Sequence, residues 1–351
     1  MANADLTSAD LNRARAAALD SFVDTMNKDH PGSAMILGQE TGLDVDVIPT
    51  GAISLDVALG VGGFPRGRII ELYGPQMSGK TSLALSTGAQ AQRAGGTVGV
   101  VDVEYALSPA HAENMGLDLS RTVIAQPEGG DEALNMVAKM CESGAFDVVV
   151  LDSVAALIPA SELEGELGDN NRLGAHAQML SRGLRKLTPI VARSKAVAIF
   201  VNQIRMNPTA YGNPETTTGG RALGFYSSVR VEVRSSASKR ITGGGGAADV
   251  IGQTTTFKIT KNKVAPPYRT GTYELYFDSG IAQELSLVEV AERCGVLARA
   301  GASYTEVSTG ERLAVGKESL RQLLVEDRDT FGRLYRAVYE TLGLPVPALD
   351  S

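Results

Sequence analysis

Several residue types that often mark a protein class are scarce in this chain. Tryptophan is absent from the 351 residues, and there are two cysteines and three histidines. Cys141 and Cys294 lie far apart, and no cysteine or histidine has a neighbour at metal-ligand spacing. These absences argue against a disulfide framework and a zinc site, and they favour reduced thiols.

Long apolar runs and an excess of positive charge are also missing. No stretch of about 18 apolar residues is present to span a bilayer, and the first residues lack the basic and apolar segments of a signal peptide. We therefore expect a cytoplasmic protein without membrane association. The net charge of −7 argues against a polycation that coats nucleic acid, so any such contact has to be local.

One glycine-rich segment carries a strong signal for nucleotide binding. Residues 74–81 fit the pattern G-x-x-x-x-G-K-[ST], in which backbone N–H groups wrap a triphosphate. Lys80 would reach the β- and γ-phosphates, and the Thr81 hydroxyl would ligate Mg²⁺. The apolar run before this segment predicts a strand, and the run after it predicts a helix whose N-terminus faces the phosphates. The predicted phosphate-contacting residues are Gly74, Pro75, Gln76, Met77, Ser78, Gly79, Lys80, Thr81 and Ser82.

Further apolar runs predict the sheet around this segment. Residues 97–104, 146–153 and 195–203 are apolar and end in polar side chains. Buried parallel strands read as continuous apolar runs, and ligands gather at their carboxyl ends. Residues 36–280 are thus predicted to form an α/β fold with a mostly parallel sheet. Asp152 fits the acidic residue that orients Mg²⁺ in P-loop enzymes.

Polar side chains at two strand ends are candidates for hydrolysis. Asp102 and Glu104 are two apart, and therefore on one face if the strand persists. We assign the attacking water to Glu104 and a supporting or helix-capping role to Asp102. Gln203 is a neutral amide that can sense a γ-phosphate, and it introduces residues 204–220. These residues are either a loop that the nucleotide orders or a plain surface loop.

The flanking segments have patterns of their own. Residues 7–29 carry an apolar stripe at helical spacing, which would pack either on its own domain or on another subunit. Residues 229–234 and 254–260 alternate and predict an antiparallel pair, with a flexible glycine tip at 243–246 between them. Residues 281–351 predict a smaller unit. Its predicted elements are helices over 285–296, 317–325 and 328–342 and a hairpin over 303–315.

The order and spacing of several motifs closely resemble those of bacterial RecA recombinases. The resemblance covers about residues 10–325, and several of the motifs are found in few other P-loop proteins. The motifs are 54–60, 74–81, 102–107, 152–157, 162–169, 202–206, 212–220, 225–230 and 261–263. The chain resembles a divergent member of that family, of phage, plasmid or paralogue type.

The resemblance implies a P-loop NTPase of the RecA type and its activity. Residues 1–35 would be an N-terminal helical arm for polymerisation, 36–280 the ATPase core and 281–351 a small α+β C-terminal domain. The implied activity is that of an ATP- and DNA-dependent recombinase. It forms helical filaments on single-stranded DNA, pairs the strand with a homologous duplex and exchanges strands in recombinational repair. A LexA-like repressor is a further implied partner.

Carried over by position, the resemblance also implies roles for individual residues. Lys80 and Gln203 join Glu104 as catalytic residues, with Gln203 coupling ATP to DNA. Lys261 and Lys263 would reach the ATP of the neighbouring subunit. The DNA-binding loops would be 162–174 and 204–220. The implied DNA contacts are Arg172, Arg185, Arg205, Pro208, Tyr211, Gly219, Gly220 and Arg221.

Some positions depart from the family pattern. Ser108 and His111 replace the usual aspartate and tyrosine at the adenine contacts, which predicts a looser base pocket. The first DNA loop carries more carboxylates than cations, so DNA binding is expected to depend on arginines and backbone amides. In the second loop Pro208 is the available apolar wedge, and Tyr211 could stack on a base.

Two other classes remain as alternatives. One is a hexameric helicase or translocase of the same fold, and the other is a filament scaffold that binds ATP and DNA with little turnover. Retention of Glu104, Lys261 and Lys263 disfavours the scaffold.

Overall fold

The computed structural model describes residues 8–29, 34, 36, 45–163, 174–206, 215–243 and 249–347. The chain divides into two compact units, residues 1–45 and 46–351. The predicted three-part division, with boundaries after residues 35 and 280, stays a prediction.

The first unit contains helix α1 (Ser8–Asp29), which confirms the helix predicted over 7–29. Its larger apolar side chains are exposed, with Leu19 at 55% and Phe22 at 61% of their full accessible surface. An exposed apolar stripe on a helix favours a partner surface. Among the described residues, no helix is long and apolar enough to cross a membrane.

The second unit is built around one large sheet. Its helices are α2 (Ile53–Leu59), α3 (Lys80–Arg93), α4 (Pro109–Asn114), α5 (Gly130–Ser143), α6 (Ala160–Leu163), α7 (Ala175–Ser194), α8 (Ala222–Tyr226), α9 (Gln283–Cys294), α10 (Lys317–Glu326) and α11 (Arg328–Thr341). Its strands are β1 (Val47–Ile48), β2 (Phe64–Pro65), β3 (Arg68–Gly74), β4 (Val98–Asp102), β5 (Thr122–Ala125), β6 (Val148–Asp152), β7 (Val197–Met206), β8 (Glu215–Thr217), β9 (Val229–Thr242), β10 (Val250–Asn262), β11 (Thr270–Tyr276), β12 (Gly280–Ile281), β13 (Leu297–Ala300), β14 (Ser303–Glu306) and β15 (Arg312–Val315).

Ten of the described strands form the large sheet. Their order is β12-β11-β10-β9-β3-β7-β6-β4-β5, and β8 pairs with β7. The strands from β9 to β5 in this order run parallel, whereas β10, β11 and β12 extend the sheet with antiparallel pairs. The predicted mostly parallel α/β sheet and the predicted antiparallel pair of β9 and β10 are therefore confirmed.

Both faces of the central strands are buried. On β7, Val197 and Ile199 join one apolar core that includes α3, while Ala198 and Phe200 join a second core that includes α5 and α7. This two-sided burial explains why the strands read as continuous apolar runs. It also leaves the carboxyl ends of β3, β4, β6 and β7 together at one edge of the sheet, where ligands bind in such folds.

A third core joins α2 to the C-terminal helices. Leu287, Leu320, Leu334 and Tyr339 of α9, α10 and α11 pack in one cluster with Ile53 of α2. The predicted helices and the hairpin of β14 and β15 are confirmed in this part of the chain. Strand β13, which pairs with β14, was not predicted because its residues show no alternation of buried and exposed positions.

Candidate active site

The phosphate loop is the connection from β3 to α3. Gly74 ends β3 where another strand passes closely, because a Cβ atom on it would lie 2.0 Å from the Val233 carbonyl oxygen. Gly79 precedes α3 with φ +90°, a left-handed conformation that glycine adopts without steric cost. The two glycines of the sequence pattern are thus required by packing and by backbone geometry.

Met77 lies at the exposed tip of this loop, with 90% of its surface accessible and φ 57°. Its carbonyl oxygen accepts hydrogen bonds from Ser235 Oγ and Gln253 Nε2, each at 3.3 Å. The neighbouring strands β9 and β10 therefore fix the loop through its backbone. This explains how the loop keeps its shape with methionine at a position where the family commonly has serine.

Lys80 begins α3, and its ammonium group points back into the loop. Its Nζ donates to the Pro75 carbonyl oxygen at 2.6 Å and to Ser78 Oγ at 3.4 Å. Burial lowers the pKa of Lys80, while the carboxylates of Asp152 and Glu104 act in the opposite direction. A buried cation with acidic neighbours suits an anionic ligand that completes its partners.

Thr81 and Asp152 meet across the sheet edge, with Thr81 Oγ1 donating to Asp152 Oδ2 at 2.6 Å. Burial raises the pKa of Asp152 to about 6, and the Thr81 hydrogen bond lowers it in part. Most molecules therefore carry the carboxylate ionised at neutral pH. A hydroxyl and a carboxylate are oxygen ligands of the kind that Mg²⁺ prefers.

Asp102 holds the turn that follows β4. Its Oδ1 accepts from the backbone N–H groups of Glu104 and Ala106 at 3.2 and 3.4 Å, and its Oδ2 accepts from Leu107 N at 3.2 Å. The expected supporting role of Asp102 thus takes the form of a turn brace. The expectation that Asp102 and Glu104 share a strand face is wrong, because β4 ends at Asp102 and Glu104 lies in the turn.

Glu104 projects from that turn toward two polar side chains. Its Oε1 accepts hydrogen bonds from Ser153 Oγ and from Gln203 Nε2, the latter at 3.2 Å. Glu104 is exposed, whereas Ser153 is buried. Sequence reasoning gave Ser153 no role, although its position directly after the strand-end Asp152 was the available signal.

A cavity of about 160 Å³ joins these side chains to the predicted base contacts. It is lined by Thr81, Leu85, Val100, Asp102, Glu104, Ala106, Leu107, Ser108, His111, Val150 and Asp152. His111 Nε2 lies 3.3 Å from Ser82 Oγ, and burial lowers the pKa of the imidazole. The structure thus brings together the predicted phosphate, metal, water and base residues at one place.

The predicted DNA-contacting residues lie around the root of residues 204–220. Arg185 on α7, Arg205 near the end of β7 and Arg221 before α8 are exposed. Gly219 has φ +83°, and a Cβ atom there would lie 2.2 Å from Leu180 Cδ1, so its backbone packs directly on α7. Gly220 is also left-handed, with φ +72°. Arg172, Pro208 and Tyr211 lie outside the described residues, as does most of the predicted glycine tip at 243–246.

Lys261 and Lys263 lie at the end of β10 and just beyond it. Lys261 Nζ donates to the carbonyl oxygens of Gly224 and Phe225 at 2.8 and 2.9 Å, at the C-terminal end of α8. Burial lowers the pKa of Lys261, and the positive charges of Lys263 and Arg230 act in the same direction. Lys263 is exposed. A role of either lysine toward a neighbouring subunit stays a prediction.

Fold and site together define the class of protein. A phosphate loop between β3 and α3, with acidic and amide side chains at the ends of neighbouring parallel strands, is the arrangement of a P-loop nucleotide hydrolase. The solved structure of the RadB recombinase has the same fold, with a TM-score of 0.50. That alignment is 24% identical and covers 66% of this chain and 98% of that chain.

Sequence comparison narrows this class to one family. The profile of the RecA N-terminal domain matches residues 17–282. Protein RecA of Nocardioides sp. is 44% identical over 339 residues, which are 96% of this chain and 94% of that protein. Protein RecA of Saccharopolyspora erythraea is 45% identical over 314 residues, which are 89% of this chain and 88% of that protein.

The chain belongs to the RecA family. The predicted family, fold and enzyme class, a recombinase with DNA-dependent ATPase activity, are thereby confirmed. The helicase and scaffold alternatives are not favoured.

Proposed function

We propose that this chain binds ATP with Mg²⁺ at the phosphate loop and couples its hydrolysis to pairing of single-stranded DNA with a homologous duplex. The observation that carries the proposal is the contact of Gln203 with Glu104. One of these residues faces the reacting phosphate, and the other begins the predicted second DNA loop. A change at either end of that hydrogen bond is felt at the other.

The residues present fit a nucleoside triphosphate. Gly74 and Gly79 keep the loop free of Cβ atoms where neighbouring groups pass closely, and α3 directs its N-terminal N–H groups toward the loop. Lys80 is the buried cation that would contact the β- and γ-phosphates. The cavity toward Ser108 and His111 continues from Thr81 and would receive the base.

Thr81 and Asp152 would hold the magnesium ion, whose charge neutralises the phosphate oxygens when it is bound. Their oxygen atoms already face each other at 2.6 Å. Asp152 is partly buried and carries a raised pKa, so it gains a favourable partner from a cation.

Hydrolysis follows from the position of Glu104. Its carboxylate would accept a proton from the water that attacks the γ-phosphorus, while the bond to the leaving ADP oxygen breaks. Ser153 and Gln203 orient this carboxylate through hydrogen bonds to Oε1. Gln203 is uncharged, so it can contact a γ-phosphate without repelling it.

Assembly and location complete the proposal. Helix α1, with its exposed apolar side chains, would dock on a neighbouring subunit in a helical filament. Lys261 and Lys263 would complete the neighbour's ATP site. Arginines 185, 205 and 221 and the backbone around Gly219 would contact DNA phosphates. We further propose a cytoplasmic location and, for the assembled filament, contact with a LexA-like repressor.

Negative-stain microscopy and a phosphate-release assay test this function together. With an ATP analogue and single-stranded DNA we expect helical filaments, and with ATP we expect phosphate release that single-stranded DNA stimulates. Closed rings would favour a helicase or translocase. Filaments without phosphate release would favour a scaffold.

A further inference from the structure

A buried polar network lies beneath the root of residues 204–220. Its centre is Glu71 on β3, whose side chain is 0% exposed. Glu71 Oε1 accepts from Asn202 Nδ2 at 3.0 Å, and Glu71 Oε2 accepts from Arg230 Nε at 2.5 Å. Asn202 is also 0% exposed. Since an unpaired buried carboxylate is costly, this geometry requires both partners.

Strand order brings these three residues together. Strand β3 lies between β7 and β9, with Glu71 opposite Arg230 and Tyr73 opposite Asn202. Residues far apart in sequence thus meet on adjacent strands, two positions before the end of β3 or at the end of the apolar part of β7. The network sits directly below the strand ends that carry the chemistry.

Asn202 uses its remaining polar groups on the loop root. Its Oδ1 accepts from the backbone N–H of Gln203 at 2.8 Å, and its Nδ2 also donates to the Thr218 carbonyl oxygen at 3.1 Å. Thr218 N in turn donates to the Gln203 carbonyl oxygen at 3.2 Å. One amide side chain therefore fixes the backbone at both ends of residues 204–217.

The other end of the network reaches the edge that carries Lys261. The Arg230 guanidinium lies over the ring of Tyr73, 4.7 Å from its centroid, and a Cβ atom on Gly224 would lie 3.4 Å from Arg230 Cζ. Lys261 donates to the carbonyl oxygen of the same Gly224. A continuous chain of contacts therefore runs from Lys261 through Arg230, Glu71 and Asn202 to Gln203.

We propose that Glu71 and Asn202 are positioning residues that hold Gln203 where its amide reaches Glu104, and that they transmit the state of residues 204–220 to the hydrolytic site. They touch neither nucleotide nor DNA in this proposal. Its coupling role rests on the proposed DNA-dependent hydrolysis. The pair acts through Gln203, so its loss uncouples DNA from hydrolysis and leaves nucleotide binding in place.

Glu71→Gln tests the carboxylate. A glutamine has one acceptor oxygen, which the Arg230 guanidinium takes because charge-assisted hydrogen bonds are stronger, and Asn202 then faces an NH₂ group. We expect the ratio of phosphate-release rates with and without single-stranded DNA to fall about tenfold, with the Kd for a fluorescent ATP analogue changed less than about twofold. Glu306→Gln is the matched control. Glu306 is 1% exposed and pairs with Arg333 at 3.0 Å in the C-terminal part, so its loss should leave the ratio within about twofold.

Asn202→Ala tests the same network without disturbing the buried charge pair, and it decides the matter if Glu71→Gln does not fold. It frees the backbone of Gln203 and Thr218 and should lower the stimulation ratio by a similar factor. In a Gln203→Asn background, whose shorter side chain no longer spans to Glu104, Asn202→Ala should produce no further fall. Independent sites would instead multiply their effects.

The outcomes separate this inference from the function on which it rests. If the wild-type chain shows no stimulation by DNA, the proposed function fails and takes the inference with it. If the wild type is stimulated and folded Asn202→Ala has the same ratio, the inference alone is overturned. A further tenfold fall in the Gln203→Asn background also overturns it, because the pair would then act by another route.

Discussion

The phosphate end and the base end of the candidate site differ in how firmly their side chains are held. At the phosphate end, Glu104 is oriented by Ser153 and Gln203, and Asp152 is bound to Thr81. At the base end, Ser108 is exposed and its side chain makes no capping hydrogen bond to α4. Among the described residues, His111 is held by Ser82 at 3.3 Å.

The difference explains where this chain departs from its family. The altered base contacts Ser108 and His111 lie at the loosely held end, and Met77 is 90% exposed at the loop tip. The acids and the amide at the strand ends are retained. Substitution is tolerated where few contacts depend on the side chain, and it is restricted where a hydrogen-bonded network depends on it.

Lys80→Ala is expected to have the largest effect. It removes the buried loop cation, so ATP binding should weaken severely and phosphate release should cease. Phosphate release with single-stranded DNA measures this, and Lys139→Ala on the exposed face of α5 is the control. Substantial turnover by Lys80→Ala would show that the phosphate end is less dependent on its side chains than the comparison holds.

Glu104→Gln should separate binding from chemistry at the same end. The amide keeps the size of the side chain but cannot accept a proton, so turnover should fall by about 10²–10⁴. Affinity for an ATP analogue should change little, and Glu113→Gln on α4 serves as the exposed control. Turnover at the wild-type rate would mean that another group activates the water.

Lys261→Ala extends the comparison to the neighbouring subunit. If the phosphate end is completed across the interface, this variant should fold and lose DNA-stimulated hydrolysis, and Lys263→Ala should do likewise. Mixing either with Lys80→Ala should recover some phosphate release, because some interfaces then join two intact halves. An absence of recovery at every mixing ratio would count against a shared site.

The combined change Ser108→Asp and His111→Tyr should have the smallest effect. A carboxylate accepts a stronger hydrogen bond from the adenine amino group, and tyrosine offers a larger stacking face. We expect ATP affinity to rise roughly tenfold, with a stronger preference over GTP. Competition binding with both nucleotides measures this. Unchanged discrimination would show that the base end does not set nucleotide choice.

Sequence patterns gave the parts of this site that are local. The loop over 74–81, the strand that ends at Asp152 and the main elements were all predictable, because each depends on spacing within one segment. The roles of Ser153 and Glu71 were not. Ser153 depends on how the turn after Asp102 folds back, which an early strand end decides.

Contacts between strands are harder to read from one sequence. Glu71 and Arg230 are opposite each other because β3 lies between β7 and β9, and an apolar pattern predicts strands without their neighbours. The predicted preference for Tyr211 over Pro208 at the DNA stays a prediction, since both lie outside the described residues.

The central claim is that Gln203 joins DNA binding to hydrolysis, and one measurement tests it most directly. Phosphate release by the Gln203→Asn chain is compared with that of the wild type, each with and without saturating single-stranded DNA. The account predicts that stimulation by DNA, clear in the wild type, falls close to none in the variant, although DNA still binds. Equal stimulation in the two chains would contradict it.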